Sequence, residues 1–176
     1  MALTVATRIL SGFDVAHRID GSLSGAVVEA TPEWAEVHAE RLPEVARFLH
    51  DDPELDFHYL TSLTGVHRLD HFEVAYHLQS IAKNQLGVLK AKSWNVEEPQ
   101  LPSVVPVWRG ALLQEREAFD LLGIRFQGHP DLRRMFLWEG FPGHPLRKDW
   151  LGMPGDRMSG LQGFPGEPGF DNQGRG

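Results

Sequence analysis

The chain has 176 residues with no cysteine, 41% of them hydrophobic and 23% charged, and carries a formal net charge of -7. That length supports one domain burying roughly two-thirds of its unfolded surface without covalent staples. The missing cysteine excludes disulfides, thiol nucleophiles and thiolate ligation of zinc or iron-sulfur clusters, and the negative balance argues against nucleic acid as a partner.

The opening MALTVATRIL has one arginine and no sustained apolar stretch, which makes it a poor signal peptide. No apolar run approaches the ~20 residues of a bilayer span, so the expected compartment is the cytoplasm. Residues 1–25 read as a lead-in, mobile over 11–25, where Gly, Ser, Asp and His mix with little periodicity. Val27 and Val28 suggest a strand, with Thr31-Pro32 as the turn after it. A single helix from Thr31 to Leu49 would carry Pro43 in its interior at a cost of ~3 kcal/mol. The alternation of Ala35, Val37 and Ala39 with Glu36, His38 and Glu40 therefore predicts a strand over 34–39. Leu42, Val45, Ala46 and Leu49 then predict a helix over 42–50, stopped by Asp51-Asp52-Pro53.

Three strands are expected next, over 57–64, 72–78 and 86–94, with turns over 65–70 and 82–85. Lys90 and Lys92 give the third the look of an edge strand. Pro99, Pro102 and Pro106 make 101–107 an extended connector to Trp108. A helix follows over 110–122, with Leu112, Ala118, Phe119 and Leu122 on its apolar face and Arg116, Glu117 and Asp120 mostly elsewhere. Gly123 suits the left-handed position after its end. The whole is an α+β fold: a mixed β-sheet with a few packing helices and an extended, Gly/Pro-rich C-terminal segment. Its parts are an α+β core over 26–126, a docking segment over 127–150 and a tail over 151–176, too rich in Gly and Pro for a core of its own.

The chemistry-bearing residues cluster between Glu115 and Asp149. Glu115, Glu117 and Asp120 form the densest carboxylate group, and two carboxylates can share acid and base work when their environments separate their pKa values. No nucleophile is implied beside them, so a charged helix face used for salt bridges is the plainer reading. GHPDLRR from Gly128 and GHPLRKD from Gly143 are near-copies of one phrase. Each sets a histidine, His129 or His144, in a tight turn and follows it with charges: Asp131, Arg133 and Arg134 in the first, Arg147, Lys148 and Asp149 in the second. A metal would need a further convergent ligand, and an anion could use the arginines, but no glycine-rich nucleotide loop is present. His67 and His71, four apart in an expected turn, read as surface residues. Trp138 and Trp150 flank the second turn as candidate interface anchors.

The stretch LPSVVPVWRGALLQEREAFDLLGIRFQGHPDLRRMFLWEGFPGHPLRKDW closely resembles the C-subunit of proton-translocating NADH-quinone oxidoreductase, the thirty-kilodalton subunit of respiratory complex I. Glu115-Arg116-Glu117, Asp120, Gly123-Ile124, Phe126, Gly128-His129-Pro130, Leu132-Arg133-Arg134 and His144 through Asp149 follow the family's order and spacing. LPEVARFLHDDPELDFHYLTSLTGV and FEVAYHL match more loosely, so the resemblance covers about 34 to 150. Leu122 stands where an aromatic is common. Related domains occur in ferredoxin-dependent photosynthetic complexes and membrane-bound hydrogenases.

The resemblance implies a non-catalytic hydrophilic subunit, peripheral on the cytoplasmic side of the membrane and attached to it only through the complex. It implies packing against the D-subunit, which helps form the quinone site, with no flavin, cluster or quinone bound by this chain; FMN, iron-sulfur clusters, NADH and quinone belong to other subunits. Under it, Glu115, Arg116, Glu117, Asp120, His129, Asp131, Arg133, Arg134, His144, Arg147, Lys148 and Asp149 are structural and interface residues. Glu117 and Arg133 are then expected in ion pairs needed for assembly. The competing reading is an acid/base or metal-dependent enzyme using Glu117, Asp120, His129 and His144.

Overall fold

The computed structural model describes residues 6–152. In chain order it contains β1 (Arg8–Ile9), α1 (Gly12–Ser22), β2 (Val27–Ala30), β3 (Ala35–Val37), a 3-10 turn (Ala39–Arg41), α2 (Leu42–Asp51), β4 (Tyr59–Arg68), β5 (His71–Ser80), β6 (Gln85–Ser93), β7 (Gln100–Pro102), α3 (Ala111–Leu122) and β8 (Arg125–Gln127). Six strands form one mixed sheet in the order β2-β3-β6-β5-β4, with β1 also pairing β6. β3 and β1 run parallel to β6, and the other neighbours are antiparallel. β7 and β8 make a separate parallel pair beside α3. The α+β class and the mixed sheet are as expected.

The 42–50 helix also holds. Leu42, Val45, Ala46 and Leu49 are fully buried, and Pro43 sits in the first turn, where its missing N–H is harmless. The lead-in over 11–25 is corrected. Residues 12–22 form α1, capped by the Ser11 hydroxyl accepting from the Phe13 amide, with Val15, Ala16 and Ile19 in the core. An apolar stripe of so few residues among polar ones carries little periodicity, so burial against the sheet decides the helix.

β4 runs on to Arg68 rather than stopping at Thr64, leaving a two-residue hairpin turn at Leu69-Asp70. Gly65, a turn signal in the sequence, lies inside the strand where α3 comes close: a Cβ there would stand 2.7 Å from Leu122 Cδ1. The expectation that β6 is an edge strand fails as well, because β6 is central, between β3 and β5. Its lysines are neutralised across the strands: Lys92 Nζ lies 2.6 Å from Glu36, and Lys90 Nζ lies 3.8 Å from Glu73 and 4.5 Å from the centre of the Trp34 ring. Opposite charges on neighbouring strands make a lysine-bearing central strand tolerable.

The connector forms β7 and then a turn, in which the Val107 and Trp108 amides return to the Val104 carbonyl. Trp108 is buried and donates from Nε1 to the Phe57 carbonyl at 2.8 Å, tying the start of α3 to the segment that leads into β4. Residues 153–176, most of the expected tail, lie outside the described residues.

Candidate functional site

α3 is clasped on several sides, and that explains its charged sequence. Ala118 and Leu122 are buried toward the sheet as their spacing predicts, while Leu112 and Phe119 are half-buried. Two carboxylates on the same helix, Glu115 and Asp120, are each 0% exposed. For Asp120 this overturns the expectation of a place off the buried surface. A buried carboxylate must be paired or hydrogen-bonded, and each of these two holds a different strap of chain.

Glu115 holds the segment that precedes α3. Its carboxylate accepts from the Ser103 hydroxyl at 2.7 Å and the Val104 amide at 2.8 Å. Burial outweighs those two donors and raises its pKa to about 7. Ser103 was not among the residues singled out from sequence; nothing in a proline-flanked stretch marks one serine as a buried donor. Gln114 was missed too, and its Oε1 accepts the outward-facing Leu63 amide of edge strand β4 at 2.5 Å.

Asp120 holds the segment that follows. Its Oδ2 accepts from three successive amides, Met135 at 3.0 Å, Phe136 at 2.8 Å and Leu137 at 3.0 Å, and its Oδ1 accepts from Arg134 at 3.2 Å. Burial pushes the Asp120 pKa up, but the three backbone donors and the Arg134 guanidinium together hold it below the usual value. Successive amides turned onto one anion form a nest, here filled by the protein's own side chain. Arg134 reaches on to the Gly143 carbonyl with both Nη1 and Nη2. One residue thus joins the first basic turn to the second.

The two Gly-His-Pro turns are fastened to α3 by their histidines. His129 donates from Nε2 to the Leu112 carbonyl at 2.9 Å and accepts the Asp131 amide on Nδ1 at 3.0 Å. His144 donates from Nδ1 to the Asp120 carbonyl at 2.8 Å, and burial lowers its pKa. The helix stop makes room for that ring. Gly123 has φ 81°, and a Cβ on it would stand 2.7 Å from His144 Cδ2. Arg116 donates to the carbonyls of Arg133 and Arg134 at 3.0 and 3.1 Å and faces Asp131 at 3.8 Å.

The RKD triplet clamps the far end. Arg147 grips Asp149 with Nε and Nη2 at 2.9 and 2.8 Å, donates to the Val96 carbonyl at 2.9 Å and lies 5.0 Å from the centre of the Phe72 ring. Lys148 contributes its backbone amide, which His67 accepts on Nδ1 at 2.9 Å. His67 is therefore no surface residue: it is 2% exposed in β4 and stacked on Phe72. Strand alternation through Leu63, Gly65 and His67 would have pointed it inward. His71 sits in β5, half-buried against the Trp94 ring.

Within the chain, Glu117 and Arg133 take no part in a buried ion pair among the described residues. Glu117 is exposed, and the Arg133 side chain is 72% exposed beside Asp131. Asp120–Arg134 is the ion pair between α3 and the strap whose carboxylate is fully buried among the described residues. The structure thus gathers ten of the twelve predicted residues around one strap, with Glu115 on a separate lock and Glu117 facing outward. Among the described residues no group of three or more His, Asp or Glu side chains is arranged to hold a metal. No described helix is long and apolar enough to cross a membrane.

Comparisons with known proteins agree with the sequence resemblance. Residues 35–154 match the family described as respiratory-chain NADH dehydrogenase, 30 Kd subunit. The second NADH-quinone oxidoreductase C-subunit of Rhizobium meliloti (strain 1021) is 43% identical over 150 residues, 82% of this chain and 76% of that protein. The NADH-quinone oxidoreductase C-subunit of Roseiflexus castenholzii (strain DSM 13941 / HLO8) is 48% identical over 116 residues, 64% of this chain and 66% of its own. A chain in the structure of the membrane-bound sulfane sulfur reductase, an archaeal respiratory membrane complex, shares the fold with TM-score 0.61 at 18% identity, covering 78% of this chain and 84% of that one. With the family match running from β3 through α3 and both Gly-His-Pro turns, the chain belongs to the respiratory-chain NADH dehydrogenase 30 Kd subunit family.

Proposed function

We propose that this chain, a hydrophilic subunit of respiratory NADH-quinone oxidoreductase, is a scaffold of the quinone-reducing module with no independent activity. The observation that carries the scaffold reading is the Asp120 nest. It fixes a bent segment that leaves apolar side chains outward: Phe136 is 60% exposed, Met135 and Trp138 are exposed, and so is Leu146 further along the strap. Exposed aromatics on a rigid strap are a binding surface rather than a reaction centre. We assign that surface to the D-subunit at the quinone site and the whole chain to the cytoplasmic side, joined to the membrane through the complex. FMN, iron-sulfur clusters, NADH and quinone belong to other subunits, and this chain binds none of them.

The curated relatives carry NADH-quinone oxidoreductase names, which does not favour a ferredoxin-dependent or hydrogenase assembly. The test is purification through a tag on the full chain. NADH-oxidising flavin protein and cluster-bearing partners should be recovered with it. Recovery with a hydrogenase or a ferredoxin-dependent partner set instead would overturn the assignment.

A further inference from the structure

His67 closes the second clamp with a ring nitrogen that works only while unprotonated. Its Nδ1 accepts the Lys148 amide at 2.9 Å, so the ring proton sits on Nε2, which is buried without a hydrogen-bond partner. The charged and titratable groups around it are Asp149, Arg147 and Lys148 on the strap and His71 on β5. Asp149 Oδ1 stands 3.8 Å from Nδ1 while both Asp149 oxygens are engaged by Arg147. We propose that His67 is a proton-operated latch: neutral, it accepts the Lys148 amide and leaves Asp149 to Arg147; protonated, it drops that amide and takes Asp149, loosening residues 147–150 from the sheet.

An imidazolium carries an N–H on both nitrogens and accepts nothing, so the Lys148 amide would face a donor. The acceptor within reach of the new proton is Asp149, now shared between two cations. The Arg147 grip weakens in the same step. Desolvation outweighs the attraction of Asp149 and lowers the His67 pKa, so the latch stays shut near neutrality and opens on acidification. The Asp120 nest is built on a carboxylate whose pKa is lowered, so it stays intact across that range. The latch acts within the chain and does not depend on which complex holds it.

The test follows the full-length protein by NMR from about pH 7.5 to about pH 5, reading the His67 ring nitrogens and amide exchange corrected for its intrinsic pH dependence. The neutral ring should show the Nε2–H tautomer. Lys148 protection should fall about ten-fold as Nδ1 gains its proton, the scale of one lost hydrogen bond, while Leu137 keeps its protection. In His67→Asn, whose amide oxygen can accept where Nδ1 does but takes no proton, Lys148 protection should not depend on pH. Unchanged Lys148 protection in the wild-type protein while His67 protonates would overturn the latch, and that measurement needs no variant. A His67→Asn protein that loses protection along the wild-type curve would overturn it too.

Discussion

At Asp120 one carboxylate satisfies three amides and a guanidinium, and removing it leaves the three amides without their acceptor and Arg134 without its counter-charge in a partly buried place. Asp120→Ala should cost about 3–5 kcal/mol of stability, the range for breaking one side of a buried pair. Denaturant titration reads this, and a loss below about 1 kcal/mol would mean that water replaces the nest. Because the folded pKa is lowered, the Asp120 contribution is complete above the ordinary 3.8 and is lost as pH falls through the folded value. Glu115 has the opposite sign. Its folded pKa of about 7 lies above the ordinary 4.5, so the folded state binds the extra proton between them and stability falls as pH rises through that window. Glu115→Gln removes that slope. The variant should equal or exceed the wild type above neutral pH, by on the order of 3 kcal/mol at most, and gain nothing near pH 4.5. A slope unchanged by Glu115→Gln would assign the titration elsewhere.

At the scale of elements, α3 is legible from its ends and misleading in its middle. Gly123 marks the stop from sequence alone, and the structure adds that its missing side chain seats His144. Gly123→Ala therefore meets both a left-handed backbone and a clash. It should cost at least ~1–2 kcal/mol from the backbone alone, and His144→Ala should relieve the clash, so the pair is non-additive in a double-mutant cycle. The identity of the residues buried on α3 was hidden because two of them are carboxylates, and helical periodicity counts only apolar positions. α1 was hidden for a related reason: its buried stripe is short and becomes decisive only against a sheet assembled from distant residues. Ile19→Ala should cost about 2–5 kcal/mol, as a core truncation does, and a change within about 0.5 kcal/mol would return residues 12–22 to the status of a lead-in. β6 was misplaced because its lysines look like edge residues until Glu36 and Glu73, 54 and 17 positions upstream of Lys90, are brought beside them.

Across the whole molecule, the charge-dense third of the chain is a strap and its buckles. The motif order identified the family, and the twelve candidate residues were visible as a group. Which of them hold the strap from within the chain was not: Asp120 and Arg134 do so, since pairing depends on depth and only the fold sets depth. The strap presents Met135, Phe136 and Trp138 as an exposed apolar face while the Met135, Phe136 and Leu137 amides are satisfied from behind by Asp120. The most direct measurement is incorporation of Phe136→Asp. The exposed side chain contributes little to the isolated chain, so its stability should stay within about 0.5 kcal/mol of the wild type. A charge buried at a subunit contact costs several kcal/mol, so recovery of the variant in the NADH-oxidising complex should fall by about ten-fold or more. A variant of wild-type stability that enters the complex at wild-type yield would contradict the account.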